Sequence, residues 1–419
     1  MQQIFRRTDV LLPQNMDMTQ WSVVACDQFS SQPEYWEALE RTRAGVPSTL
    51  HLMLPEAYLA LRDPFAEAEK IDARMAEYLA SGVFRELKDS FVCVERTLST
   101  GAVRRGLLGA LDLEAYDYAR DSATPIRATE GTIESRLPPR VRIRRGAPLE
   151  MPHVMVFIDD PADSVMSTAL AKAARLPALY DFDLCAGGGH LRGWQLSGAD
   201  ADAVDAALEA LSDPAALRER YGGAPPVIFA VGDGNHSLAT AKQCWEQIKA
   251  GLTAAERETH PARFSLVELV NIHDPAVRFE PIHRVLFETD PSAFLREAKE
   301  VFTQRYRDEG ERHDVRLVTG AWEATLSVPG LSIGGLIGAA EEFCVDYVNQ
   351  HGGCIDYIHN DETALTMARQ PGHAALLLPR MEKGELFPSV VCSGPFPKKS
   401  FSIGLAQDKR YYLECRRIK

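Results

Sequence analysis

The chain has 419 residues, enough for two or three domains with full cores, and its 45% hydrophobic and 25% charged residues are the balance of a globular protein. A net charge of −13 argues against non-specific binding to nucleic acid or an anionic membrane, since both need a basic footprint. No apolar run reaches the roughly 18 residues of a membrane span, and the start Met1-Gln2-Gln3-Ile4-Phe5-Arg6-Arg7 lacks the apolar core of a signal peptide. Eight scattered cysteines form no Cys-x-x-Cys pair and sit mostly among apolar residues, as in Phe91-Val92-Cys93-Val94. They read as reduced thiols of a cytoplasmic protein.

In chain order, Trp21–Phe29 reads as extended, followed by a helical piece with Tyr35, Trp36 and Leu39. Residues 56–80 read as one or two helices broken at Pro64, with Ile71, Met75 and Leu79 as the later stripe. Phe91–Leu98 and Val103–Leu113 read as a hairpin turned at Ser99-Thr100-Gly101. Residues 114–152 are polar and rich in arginine; in Val141-Arg142-Ile143-Arg144 the alternation predicts a strand with both arginines on one face. That segment is either a charged edge strand or a set of guanidinium forks for carboxylate or phosphate.

His153–Asp160 is a predicted strand, a helix runs from Asp163 or Ser164 to about Arg175, and Tyr180–Cys185 with Leu191–Leu196 form a hairpin around three glycines. Val204, Leu208 and Leu211 mark a helix. Then comes Val227-Ile228-Phe229-Ala230-Val231-Gly232-Asp233-Gly234-Asn235-His236. Its five apolar residues read as a strand buried on both faces, and Leu238, Ala241, Trp245 and Ile248 continue at helical spacing. A strand, a glycine turn and a helix start point backbone N–H groups outward and attract anions. The alternative is an ordinary polar turn with a helix cap. Beyond it lie a strand at Phe264–Ile272, a helix marked by Phe294, Ala298 and Phe302, three short strands in 314–336, a helix at Glu341–Asn349, strands at Cys354–Ile358 and Ala374–Leu378, and a closing strand Tyr411–Arg416. The expected class is mixed α/β (α+β), divided into an N-terminal α+β region 1–115, a central α/β region 116–288 carrying the turn, and a C-terminal α+β region 289–419.

An ordered set of motifs resembles the bacterial and archaeal family catalogued as domain of unknown function 1015. The motifs are Ile126-Arg127-Ala128-Thr129-Glu130 with Arg136, the turn 232–236, Val270–Asp274 running on to Pro281-Ile282-His283-Arg284, and Pro397-Lys398-Lys399-Ser400. The turn is also similar to the Asp-Gly-His-His-Arg motif of the ParB and sulfiredoxin-like group, which includes a free serine kinase. That likeness implies a ParB/sulfiredoxin-like core elaborated by further strands and helices, with nucleotide phosphates held at the turn. This chain departs from the motif at Asn235, where the first His stands, and at Ser237, where the Arg stands.

The resemblance implies a nucleotide-linked phosphotransferase acting on a small polar metabolite such as serine or phosphoserine, with ATP or ADP and Mg²⁺ as cofactors. In that reading Glu130, Asp233 and His236 are catalytic, and Asp233 is the metal ligand. Arg127, Arg136, Gly234, Asn235, His283, Arg284 and Lys398 hold the anionic substrate. His283 reads equally as a core histidine bonded to backbone, and Lys398 with Lys399 as a solvated basic turn. Two other classes stand beside it. Asp233, His236, His273, Asp274 and His283 could serve a metal-dependent hydrolase of a phosphorylated metabolite; the same pocket could also bind a phosphometabolite without turnover. The partner expected is a small anion, neither nucleic acid nor membrane, and a homodimer is compatible with the sequence.

Overall fold

A computed structural model describes residues 3–151, 153–222, 224–304, 311–320 and 322–419. The fold is mixed α/β, with thirteen α-helices among the described residues. By contacts the chain groups into two units: a first unit of 1–128, 132–277 and 405–419, and a second of 129–131 and 278–404. No helix among the described residues is long and apolar enough to cross a membrane.

The first unit is built on a mixed sheet of eleven strands among the described residues. Nine of them run in the order Tyr180–Asp183, His190–Leu196, Phe84–Thr97, Val103–Asp112, Phe264–Asn271, Met155–Ile158, Phe229–Asp233, Ile126–Ala128 and Tyr116–Asp117; off this path, Phe5–Arg6 pairs with Val103–Asp112 and Thr8–Pro13 with Phe84–Thr97. Side chains alternate across a strand, and the two faces feed two cores. Phe91 and Cys93 join Leu238, Trp245 and Met166 on one side; Val92 and Val94 join Ile71, Met75 and Trp21 on the other. The sheet is thus covered on both faces, so Phe229–Val231 is wholly apolar and buried.

Three local expectations are corrected. Pro64 opens the helix Pro64–Ala80 rather than breaking it, with the Asp63 side chain accepting from the Phe65 N–H. Residues 141–144 belong to a helix, Leu137–Gly146, packed against the helices Pro64–Ala80 and Asn235–Lys249. Its prolines fall in the first turn, where no N–H is missed, and Arg144 and Arg145 fall in the last, where cations suit the dipole. Four alternating residues are too short a window to separate the two periods. Finally, 314–336 holds two strands, Arg312–Thr319 and Trp322–Pro329, and then the start of the helix Ile333–His351; Ala321 lies outside the described residues.

The second unit has an antiparallel five-stranded sheet in the order Trp322–Pro329, Arg312–Thr319, Ala374–Leu377, His283–Phe287, Cys354–Ile358. Helices cover it, contributing Phe294, Phe302, Phe343 and Tyr347 as tilted and edge-on rings and Ala364 and Ala368 against Val285 and Leu377.

Candidate functional site

The strand Phe229–Asp233 runs antiparallel to Met155–Ile158, and their register shifts between Val231 and Asp233. A bulge of this kind re-aims the residues beyond it. Gly232 is required there: a Cβ would lie 2.2 Å from the Phe157 ring. Gly234 follows with φ +77°, where a Cβ would stand 3.0 Å from the Val154 Cα. The helix Asn235–Lys249 starts at once, and no side chain caps it. Its first-turn amides therefore carry the partial positive charge of an open helix N-terminus. Asn235 is buried, and its Oδ1 has no hydrogen-bond partner among the described residues.

Residues from both ends of the chain meet beside this turn. Val23–Val24 pairs with Tyr411–Tyr412, and the Ala25 N–H donates to the Arg410 carbonyl at 3.0 Å. This pairing sets Cys26 and Asp27 beside Lys409 and Tyr412. The Asp27 carboxylate is 3.6 Å from Nε2 of buried His153. His153 Nδ1 lies 2.9 Å from the Tyr412 hydroxyl, and its Nε2 is 3.5 Å from the Ser237 hydroxyl on the helix. The Lys409 ammonium is 3.0 Å from Asp233 Oδ2, while Asp233 Oδ1 accepts from the Gly234 N–H at 2.9 Å.

The electrostatics divide the groups. Burial alone would neutralise both members of the Asp27–His153 pair. Instead the His153 charge, helped by Lys409, holds the Asp27 carboxyl well below the usual range. Asp27 and then Asp233 hold the imidazole above its ordinary value. Each member of the pair thus favours the charged form of the other. Cys26 next to it is no nucleophile, because burial and the Asp27 charge push its thiol up to about 11. His236 is the opposite case: burial, Arg140 and Arg136 pull it down to about 4. It is neutral, and since Nε2 accepts the Ile133 N–H at 3.2 Å, Nδ1 carries the proton. Burial is the largest cause of that depression, and the Arg140 and Arg136 charges add to it.

Not every candidate joins this group. Arg127 is buried, and its guanidinium is spent on the Thr124 and Pro225 carbonyls at 2.9 and 2.7 Å, tying a loop rather than gripping an anion. Arg136 is exposed, its carbonyl accepting from Arg140 at 2.6 Å. Glu130, His283, Arg284 and Lys398 belong to the second unit. There Glu130 Oε1 accepts the Lys399 N–H at 2.5 Å, and Lys398 is exposed. His283 is a buried histidine bonded to Asp361 at 2.9 Å and accepting the Leu378 N–H. Arg284 is fully buried, its Nη2 3.0 Å from Glu341 and its Nη1 donating to the Ile282 carbonyl. Both therefore serve the interior of that unit.

The proposed metal ligands do not converge either. His273 is 2.7 Å from Asp159 and Asp274 is 3.0 Å from Arg105. Among the described residues, only Glu311, His313 and Glu385 bring three ligand atoms within 4.8 Å of one another. Sequence reasoning missed Asp27, His153, Lys409 and Tyr412 as site residues. None sits in a motif, and no local signal marks them; the strand pairing alone does.

No curated protein matches the sequence. Among solved structures, the chain is similar to a free serine kinase in complex with AMP (TM-score 0.36, 10% identity, covering 74% of this chain and 90% of that one). It is similar to a conserved hypothetical protein from Pyrococcus furiosus (TM-score 0.33, 10% identity, 72% and 92%). It is also similar to SbnI with a C-terminal truncation from Staphylococcus aureus (TM-score 0.35, 11% identity, 71% and 82%). A family model described as a protein of unknown function, DUF1015, matches residues 8–357, and the chain belongs to that family.

Proposed function

We propose that the first unit binds a phosphate-bearing small molecule at the turn 232–236 and transfers a phosphoryl group between a nucleotide and a small polar metabolite of the serine or phosphoserine class. The substrate class and the nucleotide come from the resemblance of the turn to the ParB and sulfiredoxin-like group. The observation that carries the reading is the meeting, within one unit, of an uncapped helix N-terminus with the Asp27–His153 pair.

Phosphoryl transfer asks for positioning, neutralisation of oxygen charge and a group to take the proton of the attacking hydroxyl. The amides of Asn235, His236 and Ser237 would hold phosphate oxygens, with the exposed Arg136 supplying charge; Arg140 is taken up by Glu56 and the Arg136 carbonyl. Asp27 would accept the hydroxyl proton as that oxygen bonds to phosphorus and the bridging oxygen leaves with the nucleotide; His153 would fix Asp27 in place. Asp233 does not fit a Mg²⁺ ligand: one oxygen is on the Gly234 N–H and the other on the Lys409 ammonium. No step is therefore routed through the metal, and Lys409 is the resident cation. Glu130, Lys398, His283 and Arg284 lie in the second unit, and the reading rests on the first unit alone.

The test is a thermal-shift panel of nucleotides, phosphorylated metabolites and free hydroxy amino acids, followed by product analysis of the hits. Asp27→Asn should keep the shift and lose the product. Binding without product in the wild-type protein favours the second reading, a phosphometabolite-binding protein, for which Ser237 in place of the family's Arg is the specific observation. No shift with any phosphate-bearing compound overturns both.

A further inference from the structure

The second unit holds a cluster that the proposal above does not use. His313 lies near the start of the strand Arg312–Thr319, opposite Val328. Glu311 immediately precedes that strand, and its carbonyl is held by the Gly330 N–H at 2.9 Å. Glu385 closes the turn Lys383–Glu385, where its Oε2 accepts the Glu382 N–H at 2.6 Å and leaves Oε1 available. The His313 Nε2 stands 3.7 Å from Glu311 Oε2 and 3.8 Å from Glu385 Oε1.

Neither separation is a hydrogen bond. The Nε2 atom is buried, on a side chain only 12% exposed, and has no hydrogen-bond partner among the described residues. A buried ring nitrogen facing two carboxylates just outside hydrogen-bond range leaves the gap that a cation between them would fill. With bonds of about 2.0–2.2 Å, adjacent ligands of a tetrahedral zinc ion lie roughly 3.4 Å apart. The two distances from His313 exceed that by only a few tenths of an ångström, and all three ligand atoms lie within 4.8 Å of one another, within reach of two flexible glutamate side chains. One imidazole among the donors disfavours Mg²⁺ and Ca²⁺, which take oxygen alone, and favours zinc and its first-row neighbours.

We infer that Glu311, His313 and Glu385 form a three-ligand site for a divalent transition cation of the zinc class. Glu311 is exposed, so water can take the fourth position. The ion would tie the start of the strand at 312 to the turn at 383–385.

The experiment uses the full chain, stripped with chelator and titrated calorimetrically with Zn²⁺, with Co²⁺ as the spectroscopic probe. One equivalent of Zn²⁺ should bind, Co²⁺ should show the absorption of a low-symmetry site, and bound Zn²⁺ should raise the melting temperature. His313→Ala should weaken binding by more than about 100-fold, the upper end of what loss of an outer-shell partner costs. Glu385→Gln and Glu311→Gln should each weaken it at least about tenfold. Absence of stoichiometric binding overturns the inference, as does binding that these variants leave unchanged. Should His313→Ala fail to fold, the exposed Glu311→Gln decides. All these outcomes are independent of what the first unit binds.

Discussion

Gly234 offers the sharpest test of how the turn is built, because its two costs can be separated. Alanine there must hold φ near +77°, which costs about 1–2 kcal/mol for an L-residue. Its Cβ must also fit 3.0 Å from the Val154 Cα and 3.1 Å from its Cγ2. The first of these is backbone and cannot swing aside, so a further cost of about 1–3 kcal/mol is expected from overpacking. Gly82 is the matched control: φ is +73° and nothing lies within 4 Å of its Cβ position. Gly82→Ala should therefore lose about 1–2 kcal/mol, the conformational part alone, and Gly234→Ala about 1–3 kcal/mol more.

Both glycines lie in the first unit. Of the five tryptophans, only Trp322 belongs to the second, so intrinsic fluorescence reports chiefly on the first. A two-unit chain need not unfold in one step. The quantity compared is thus the shift of the fluorescence transition in urea at a common slope. If Gly234→Ala shifts it no further than Gly82→Ala, the turn does not press on Val154, and glycine at 234 is not what hands the strand to the helix.

Two further outcomes follow from buried charge. His236 is held near 4 when folded and titrates near 6.5 when unfolded. Between those values acid protonates the unfolded chain alone, so wild-type stability falls as pH drops from about 6.5 towards 4. His236→Asn should lose less over that window, read as melting temperature at neutral pH and at pH 5; parallel curves would refute the shift. Glu150 is buried and accepts from Arg416 and the Leu266 N–H, each at 2.8 Å, and from Arg144. Burial opposes its ionisation, but Arg144 and Arg416 hold it below the ordinary value. Glu150→Gln leaves those cations uncompensated and should cost about 3–5 kcal/mol in urea unfolding; a loss under about 1 kcal/mol, the worth of an exposed pair, would show the network to be solvated.

What the sequence determined by itself was local. An apolar run closed by glycines announced the strand at 229–233 and the helix from Asn235, because a residue's alternation and helical stripe record which of its own faces is buried. The hairpin around the three glycines was legible on the same ground. Tertiary structure alone decided which residues surround the turn. Asp27 and Lys409 stand at opposite ends of the chain, and only the pairing of Val23–Val24 with Tyr411–Tyr412 brings them to one site. It also decided that Arg127 and Arg284 face inward. A guanidinium satisfied by carbonyls or a carboxylate is stable in an interior, and nothing in the neighbouring residue types distinguishes that fate from exposure. Periodicity tells a segment that it has a partner, but the partner's identity is settled only by packing across the whole chain.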